Sequence, residues 1–265
     1  MPAGHTIRRI ADRHTDLFEG QALRVSSPQG RFAAGASRLD GRVLQQVEAR
    51  GKHLLYHFEG RRTLHVHLGL VGRFQTHRLP APAPSPATRL VLRTDDAAAY
   101  LTGPMKCDLI DRTMVERIVG HLGPDPLKVS RRPKAFDDAL AGDHRPIGTV
   151  LLDQGVVAGI GNVYRSEVLF LEGIDPHTPA SDLTADQVSA IWSTAREELR
   201  RGVEDGAIIT VGPREVGAAT RRELPAELRR YAYKRSGMPC HRCHTQIRST
   251  EMAGRQIWWC PECQS

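Results

Sequence analysis

Cys240-His241-Arg242-Cys243, sixteen further residues, and then Cys260-Pro261-Glu262-Cys263 stand at the end of the chain. Two C-x-x-C knuckles at this separation have the spacing of a four-thiolate zinc site. Each knuckle is a tight turn that offers two sulfurs, and two turns complete a tetrahedron. Four thiolates leave no open position, so the zinc expected here is structural and not catalytic. A segment this short has little core of its own, and metal binding would supply much of its folding energy. Between the knuckles, Arg248 to Trp259 reads as a polar strand, a turn near Ala253-Gly254 and an apolar aromatic strand. The sequence thus predicts a zinc-ribbon hairpin with Arg255 at or beside its tip. A planar guanidinium there suits a phosphate, which it can grip through two oxygens. A solvated surface arginine is the competing reading.

The chain has 265 residues, enough for two or three domains and a sizeable core. No apolar run is long enough to span a bilayer, and the N-terminus carries no signal-peptide pattern. A soluble, cytoplasmic, nucleoid-associated monomer is expected. Four of the five cysteines fall in the knuckles and only Cys107 is left over, which suits a reducing compartment. The net charge of +7 favours polyanionic partners, nucleic acid above all. The excess is concentrated at the end: from residue 221 on there are nine Lys/Arg against four Asp/Glu.

The chain starts Met1-Pro2-Ala3-Gly4-His5-Thr6-Ile7. A helix is expected from about residue 4 to 18, stopped by Gly20. Pro2 has two readings. It is tolerated at a helix start. It would also become a free secondary amine once the methionine is removed, with a pKa near about 8, so that part of it is nucleophilic at neutral pH. Short alternating segments follow to about residue 111, among them 42–48, 53–58 and 64–68, and they predict an antiparallel sandwich or barrel. Arg50-Gly51-Lys52-His53 is a turn with a basic tip. His65 and His67 share one strand face without a clear third ligand, which favours a polar-face role over a metal. Residues 80–86 alternate proline with alanine and serine and read as a mobile loop.

The middle of the chain reads as helices. One is expected over 146–154, a second from about Val163, and an amphipathic third over 185–201 opened by Thr184. The glycine-punctuated turn of 155–162 lets the backbone approach something closely, and Asn162 is placed to cap a helix or touch a phosphate. Residues 213–235 are basic and poor in large apolar side chains, as a linker and a loop region leading to the zinc hairpin would be.

Taken together, the Met1-Pro2-x-Gly4 start, Arg50-Gly51-Lys52, His67-Leu68-Gly69-Leu70-Val71-Gly72, Leu152-Asp153-Gln154 to Asn162-Val163-Tyr164, and the four-cysteine finger with Arg255 resemble the formamidopyrimidine-DNA glycosylase / endonuclease VIII family. The resemblance runs the length of the chain. It implies an α+β fold: an N-terminal antiparallel β-sandwich catalytic domain with flanking helices (1–120), a helix–two-turns–helix domain (121–225) and a C-terminal zinc ribbon (226–265). It implies a base-excision-repair glycosylase with AP lyase activity on double-stranded DNA bearing a damaged base or abasic site. The compact opening and middle look more like the endonuclease VIII branch, which favours oxidised pyrimidines. By the same resemblance Pro2 is the Schiff-base nucleophile on C1′, and Lys52 holds a phosphate and assists proton transfer during β/δ-elimination. Asn162 and Arg255 bind phosphates beside the flipped nucleotide, and Leu70 fills the gap left in the duplex. The physics is consistent, since base chemistry requires extrusion from the stack and phosphate contacts hold bent DNA.

One position departs from the family pattern. The glutamate that follows the proline as general acid/base is Ala3 here, and an acidic residue often found at the sixth position is Thr6. A general acid contributes roughly 10²–10⁴-fold to rate. A catalytically silent lesion- or abasic-site-binding protein of the same fold is therefore the alternative. A zinc-ribbon transcription or translation factor would explain the finger but not Lys52, Asn162 or the N-terminus.

Overall fold

The computed structural model describes residues 2–265, so Met1 of the N-terminal motif lies outside the described residues. Where the sequence reading draws three segments, the chain forms two compact units, Met1–His121 and Leu122–Ser265.

The first unit contains α1 (Gly4–Phe18), β1 (Ala22–Ser26), α2 (Ala33–Leu39), β2 (Arg42–Arg50), β3 (His53–Phe58), β4 (Arg62–His67), β5 (Arg73–Arg78), β6 (Thr88–Arg93), β7 (Ala97–Thr102), β8 (Lys106–Ile110) and α3 (Arg112–Gly120). Its sheet is antiparallel throughout, in the order β5-β7-β6-β1-β2-β3-β4-β8. β1 makes the sandwich. Ala22 and Leu23 pair with β2, while Arg24 to Ser26 pair with β6, so one strand passes from one half of the sheet to the other. Leu23, Leu44, Leu54, Tyr56, Leu64 and Val66 meet Leu90, Leu92, Ala99 and Leu101 in one core. Helix α1 lays Ile7, Ala11, His14 and Phe18 against it, a spacing that keeps one helical face buried.

The second unit contains α4 (Lys134–Ala141), α5 (Ile147–Val150), α6 (Asn162–Leu171), α7 (Ala185–Asp205), β9 (Arg248–Met252) and β10 (Arg255–Trp259). Thr184 opens α7 as expected: its hydroxyl accepts from Gln187 N–H while the Gln187 side chain accepts from Thr184 N–H. The helix outruns its expected end and stops at Gly206, whose φ of 72° reverses the chain.

Two expectations need correction. The helix expected over 146–154 is only the four residues of α5. Beyond it the side chains satisfy the backbone that a helix would have used. Asp153 accepts from Gly155 N–H, and the Gln154 amide donates to the carbonyls of Leu152 and Ile160 and accepts from Gly159 N–H. Nor are residues 213–235 a linker. Leu224, Tyr231 and Ala232 are buried with Phe170, Ile247 and two of the cysteines. The segment is fastened by the fully buried carboxylate of Glu167, which accepts from the backbone N–H of Tyr231, Ala232 and Tyr233 at 2.8, 3.0 and 2.8 Å and from the hydroxyl of Thr210. The Tyr231 ring stacks on Phe170 at 4.6 Å, and the Arg242 guanidinium lies 4.7 Å from the Tyr231 ring centre. A few large side chains and one buried anion do here what a long apolar run does elsewhere. The short helices α2, α3 and α4 have no counterpart among the elements the sequence predicts.

Candidate functional site

The residues singled out in the sequence fall into two groups, one on each unit. On the first unit Pro2 is half-buried, and Ala3 is the N-cap of α1, with its methyl 2 % exposed. The Ala3 carbonyl accepts from Thr6 and Ile7 N–H. The first turn of α1 holds no acidic side chain. What stands there is His5, buried and sharing a hydrogen bond with the Thr6 hydroxyl at 3.1 Å. Burial first, then the charge of Arg9, lowers the His5 pKa to about 4, so its imidazole is neutral at pH 7.

Lys52 lies in the two-residue turn between β2 and β3, where Gly51 has φ 55°. Strand pairing sets His53 opposite His67 and His67 opposite Lys106. His53 Nδ1 and His65 Nε2 share a 2.9 Å hydrogen bond, and the His53 and His67 rings pack at 5.0 Å. Burial is the main reason all three stay neutral, with Lys52 and Lys106 adding to it at His53 and His67; His53 drops to about 3 and His65 to about 4. His53 joins the His65 and His67 of the sequence reading, so the strand face carries three neighbouring imidazoles. Neutral histidines keep the charge of this face on its lysines.

Beside this cluster the β4–β5 turn exposes Leu70 (67 %) and Val71 (76 %), and Met105 (62 %) stands out from the start of β8. Gly69, with φ 68°, has no room for a side chain: a Cβ would come 2.8 Å from Met105 Cβ. Leu70, Val71 and Met105 thus form an apolar knob next to a cationic strip. Sequence reasoning found Leu70 and missed the other two. Met105 is 35 residues away along the chain and could be placed only through the β4–β8 pairing.

On the second unit the hairpin forms as expected. Met252 pairs with Arg255 across Ala253 (φ 55°) and Gly254 (φ 67°), a two-residue turn with both residues left-handed. Arg255 begins β10 directly after the tip and is exposed. Asn162 neither caps α6, whose N-cap is Gly161, nor stands apart: its Nδ2 donates to the Gln256 carbonyl at 2.9 Å. One turn further along α6, Arg165 donates to the carbonyls of Arg255 and Gln256. Gly148 of α5 allows the close approach, since a Cβ there would meet Met252 Sδ and Ile257 Cδ1 at 2.8 Å.

The four cysteine sulfurs lie within 4.8 Å of one another. Cys240 and Cys263 are 3.8 Å apart, and Cys243 and Cys260 are 3.4 Å apart. A tetrahedral zinc with Zn–S of about 2.3 Å sets its sulfurs about 3.8 Å apart, so the donor set fits. The penultimate residue completes the knuckle: Gln264 accepts from Cys260 N–H and donates to the Ile174 carbonyl.

Residues 1–106 match the profile of the formamidopyrimidine-DNA glycosylase N-terminal domain, and residues 122–212 match that of the formamidopyrimidine-DNA glycosylase H2TH domain. The chain belongs to the formamidopyrimidine-DNA glycosylase family. Endonuclease 8 1 of Mycobacterium tuberculosis is 41 % identical over the full length of both chains. The formamidopyrimidine-DNA glycosylase of Gluconobacter oxydans is 31 % identical, again over the full length of both. Among solved structures, the MutM (Fpg) protein of Thermus thermophilus has a TM-score of 0.79 at 31 % identity, covering 99 % of this chain and 98 % of that one. The Lactococcus lactis Fpg, solved with DNA containing an abasic site, has a TM-score of 0.82 at 22 % identity over 99 % of both chains, a likeness of fold. Membership makes this a DNA-repair glycosylase fold with a four-cysteine cluster suited to a metal. No helix among the described residues is long and apolar enough to cross a membrane.

Proposed function

We propose that the protein acts on damaged DNA as an AP lyase whose base-excision step is weakened. The carrying observation is at the start of α1, where the buried methyl of Ala3 stands in place of the family's carboxylate and no acidic side chain shares the first turn. The two halves of the chemistry separate at this point. With the methionine removed, the Pro2 amine adds to the C1′ aldehyde of an abasic site, and loss of water leaves an iminium. The iminium makes the C2′ proton acidic. Its removal sends the electron pair into a new C=C bond and breaks C3′–O, and a second elimination breaks C5′–O. None of these steps protonates a leaving base. Excision of an intact nucleoside does require proton transfer at base and sugar, and there the missing carboxylate costs about 10²–10⁴-fold.

In this reading Lys52, with Lys106 beside it, meets a backbone phosphate next to the lesion, and Asn162 and Arg255 mark the phosphate contacts of the second unit. Leu70, with Val71 and Met105, fills the space left by an extruded nucleotide. Zinc is the ion for Cys240, Cys243, Cys260 and Cys263, one per chain; when bound it crosslinks the two knuckles and performs no chemistry on DNA. Oxidised pyrimidines are the preferred bases, a reading supported by higher identity to the endonuclease 8 relative than to the formamidopyrimidine-DNA glycosylase relative. The competing reading, a silent binder of abasic sites, draws on the same Ala3. Borohydride trapping on abasic duplex decides between them. A covalent adduct lost on blocking the N-terminus supports the lyase, and tight binding without an adduct supports the silent binder.

A further inference from the structure

Arg165 is fully buried, and among the described residues no carboxylate acts on its charge. Its two terminal nitrogens donate to main-chain oxygens, while the buried Nε has no partner among the described residues. One terminal nitrogen donates to Gly148 at 2.8 Å and lies 3.4 Å from the Met252 carbonyl. The other donates to Arg255 and Gln256 at 3.2 and 3.1 Å. These carbonyls sit on both sides of the hairpin tip, so a single rigid fork holds the tip by its two strands. Lysine could not do the same, having one point charge where arginine has a planar set of donors.

This arrangement is costly unless it serves something. A buried cation is ordinarily neutralised by a carboxylate. Two residues along the same helix, Glu167 is buried too, but it is spent on the backbone of 231–233. Burial and the nearby charge of Arg255 lower the Arg165 pKa to about 10, which still leaves it charged at pH 7. Carbonyl dipoles solvate this charge without cancelling it. A full positive charge therefore lies directly beneath the backbone of Arg255, repels the Arg255 guanidinium outward and adds to the potential an anion meets at the tip.

We infer that Arg165 is a positioning residue for DNA binding: it fixes the backbone of Arg255 from below and supplies an uncancelled charge that directs the Arg255 side chain toward phosphate. The inference rests on the reading of Arg255 as a phosphate contact. It goes beyond that reading by assigning the orientation of Arg255 to a residue that touches no DNA.

The test is a double-mutant cycle on the full-length protein, with binding to a duplex carrying a tetrahydrofuran abasic analogue measured across salt concentrations. Arg255→Ala alone should weaken binding about tenfold or more and flatten the logarithmic salt dependence by about one phosphate. Arg165→Met should weaken binding at least about fivefold when Arg255 is present and less than about twofold in the Arg255→Ala background, because the two act as one unit. Arg165→Lys keeps the charge and should recover part of the loss. If Arg165→Met does not fold, the same cycle is run with Arg165→Lys. A merely structural role lowers melting temperature and affinity by equal factors in both backgrounds, and that result overturns the inference while leaving the Arg255 reading intact. If Arg255→Ala binds like the unaltered protein, the phosphate-contact reading fails and the inference fails with it.

Discussion

Asn162 donates its side-chain amide to the main-chain carbonyl of Gln256 at 2.9 Å, across 94 residues of sequence. The first residue of α6 is thereby joined to the second residue of β10, beside the arginine of the hairpin tip. Asn162→Asp replaces the donor with an oxygen that faces the carbonyl. We expect a loss of about 0.5–1.5 kcal/mol in stability, the net contribution of an ordinary hydrogen bond, and weaker binding to abasic DNA. Thermal unfolding and a binding titration on the same preparation check both. Unchanged stability would show that this contact does not seat the hairpin.

Ala3→Glu should raise excision of an oxidised pyrimidine by at least about a hundredfold, the lower end of general-acid contributions, while changing abasic-site cleavage far less. Both are read in parallel on one labelled duplex. Because the Ala3 methyl is 2 % exposed, the new carboxylate must find room at the α1 N-terminus, and a modest fall in melting temperature should accompany the gain. Excision at background together with tight abasic-site binding would favour the silent binder.

Chelation should release about one zinc per chain and abolish DNA binding. The damage should reach beyond the knuckles, because Cys240 and Cys260 share a core with Phe170 and Tyr231. Fluorescence of Trp258 and Trp259 reports the hairpin, and near-ultraviolet dichroism reports the tyrosines. The sheet of the first unit should keep its dichroism signal. Metal analysis that finds no zinc in purified protein would end this reading.

Acid should destabilise the first unit earlier than carboxylate titration alone would. His5, His14 and His65 are buried and held neutral chiefly by that burial, with pKa values of about 4, 3 and 4. The unfolded chain takes up these protons near pH 6.5, so stability is full above that pH and is lost as pH falls from about 6.5 toward 4. Each histidine contributes at most about 1.4 kcal/mol per pH unit in that window. His14→Gln keeps a polar group near the Tyr56 and Thr76 hydroxyls that His14 bonds, and it should make the fall in melting temperature with pH shallower. An unchanged slope would remove His14 from the account.

Local patterns carried much of the fold in advance. Thr184 announces α7, Ala253-Gly254 announces the hairpin turn, and the cysteine spacing announces the cluster, because each is set by neighbours within a few residues. What stayed hidden depends on pairing at long range. Met105 joins Leu70 only when β8 lies against β4. Residues 213–235 look like a linker until Glu167 collects the N–H groups of 231–233. Arg165 reads as an ordinary helix arginine, and nothing near it in sequence tells that its partners include the carbonyls of a hairpin some ninety residues on. The α5 helix is shorter than its sequence predicts for the opposite reason: Asp153 and Gln154 offer the backbone local bonds that compete with a helix.

The same long-range bonds set an order of events during synthesis. The first unit is complete in sequence by His121 and can close while the rest is still being made. α6 cannot finish so early. Glu167 waits 64 residues for Tyr231, Arg165 waits 91 for Gln256, and the Cys260 knuckle waits for Gln264. Until Tyr231 and Gln256 have left the ribosome, a helix bearing two charges meant for burial must remain hydrated and open. A nascent chain stalled anywhere before Gln256 would thus carry a finished sandwich and an unfinished second half.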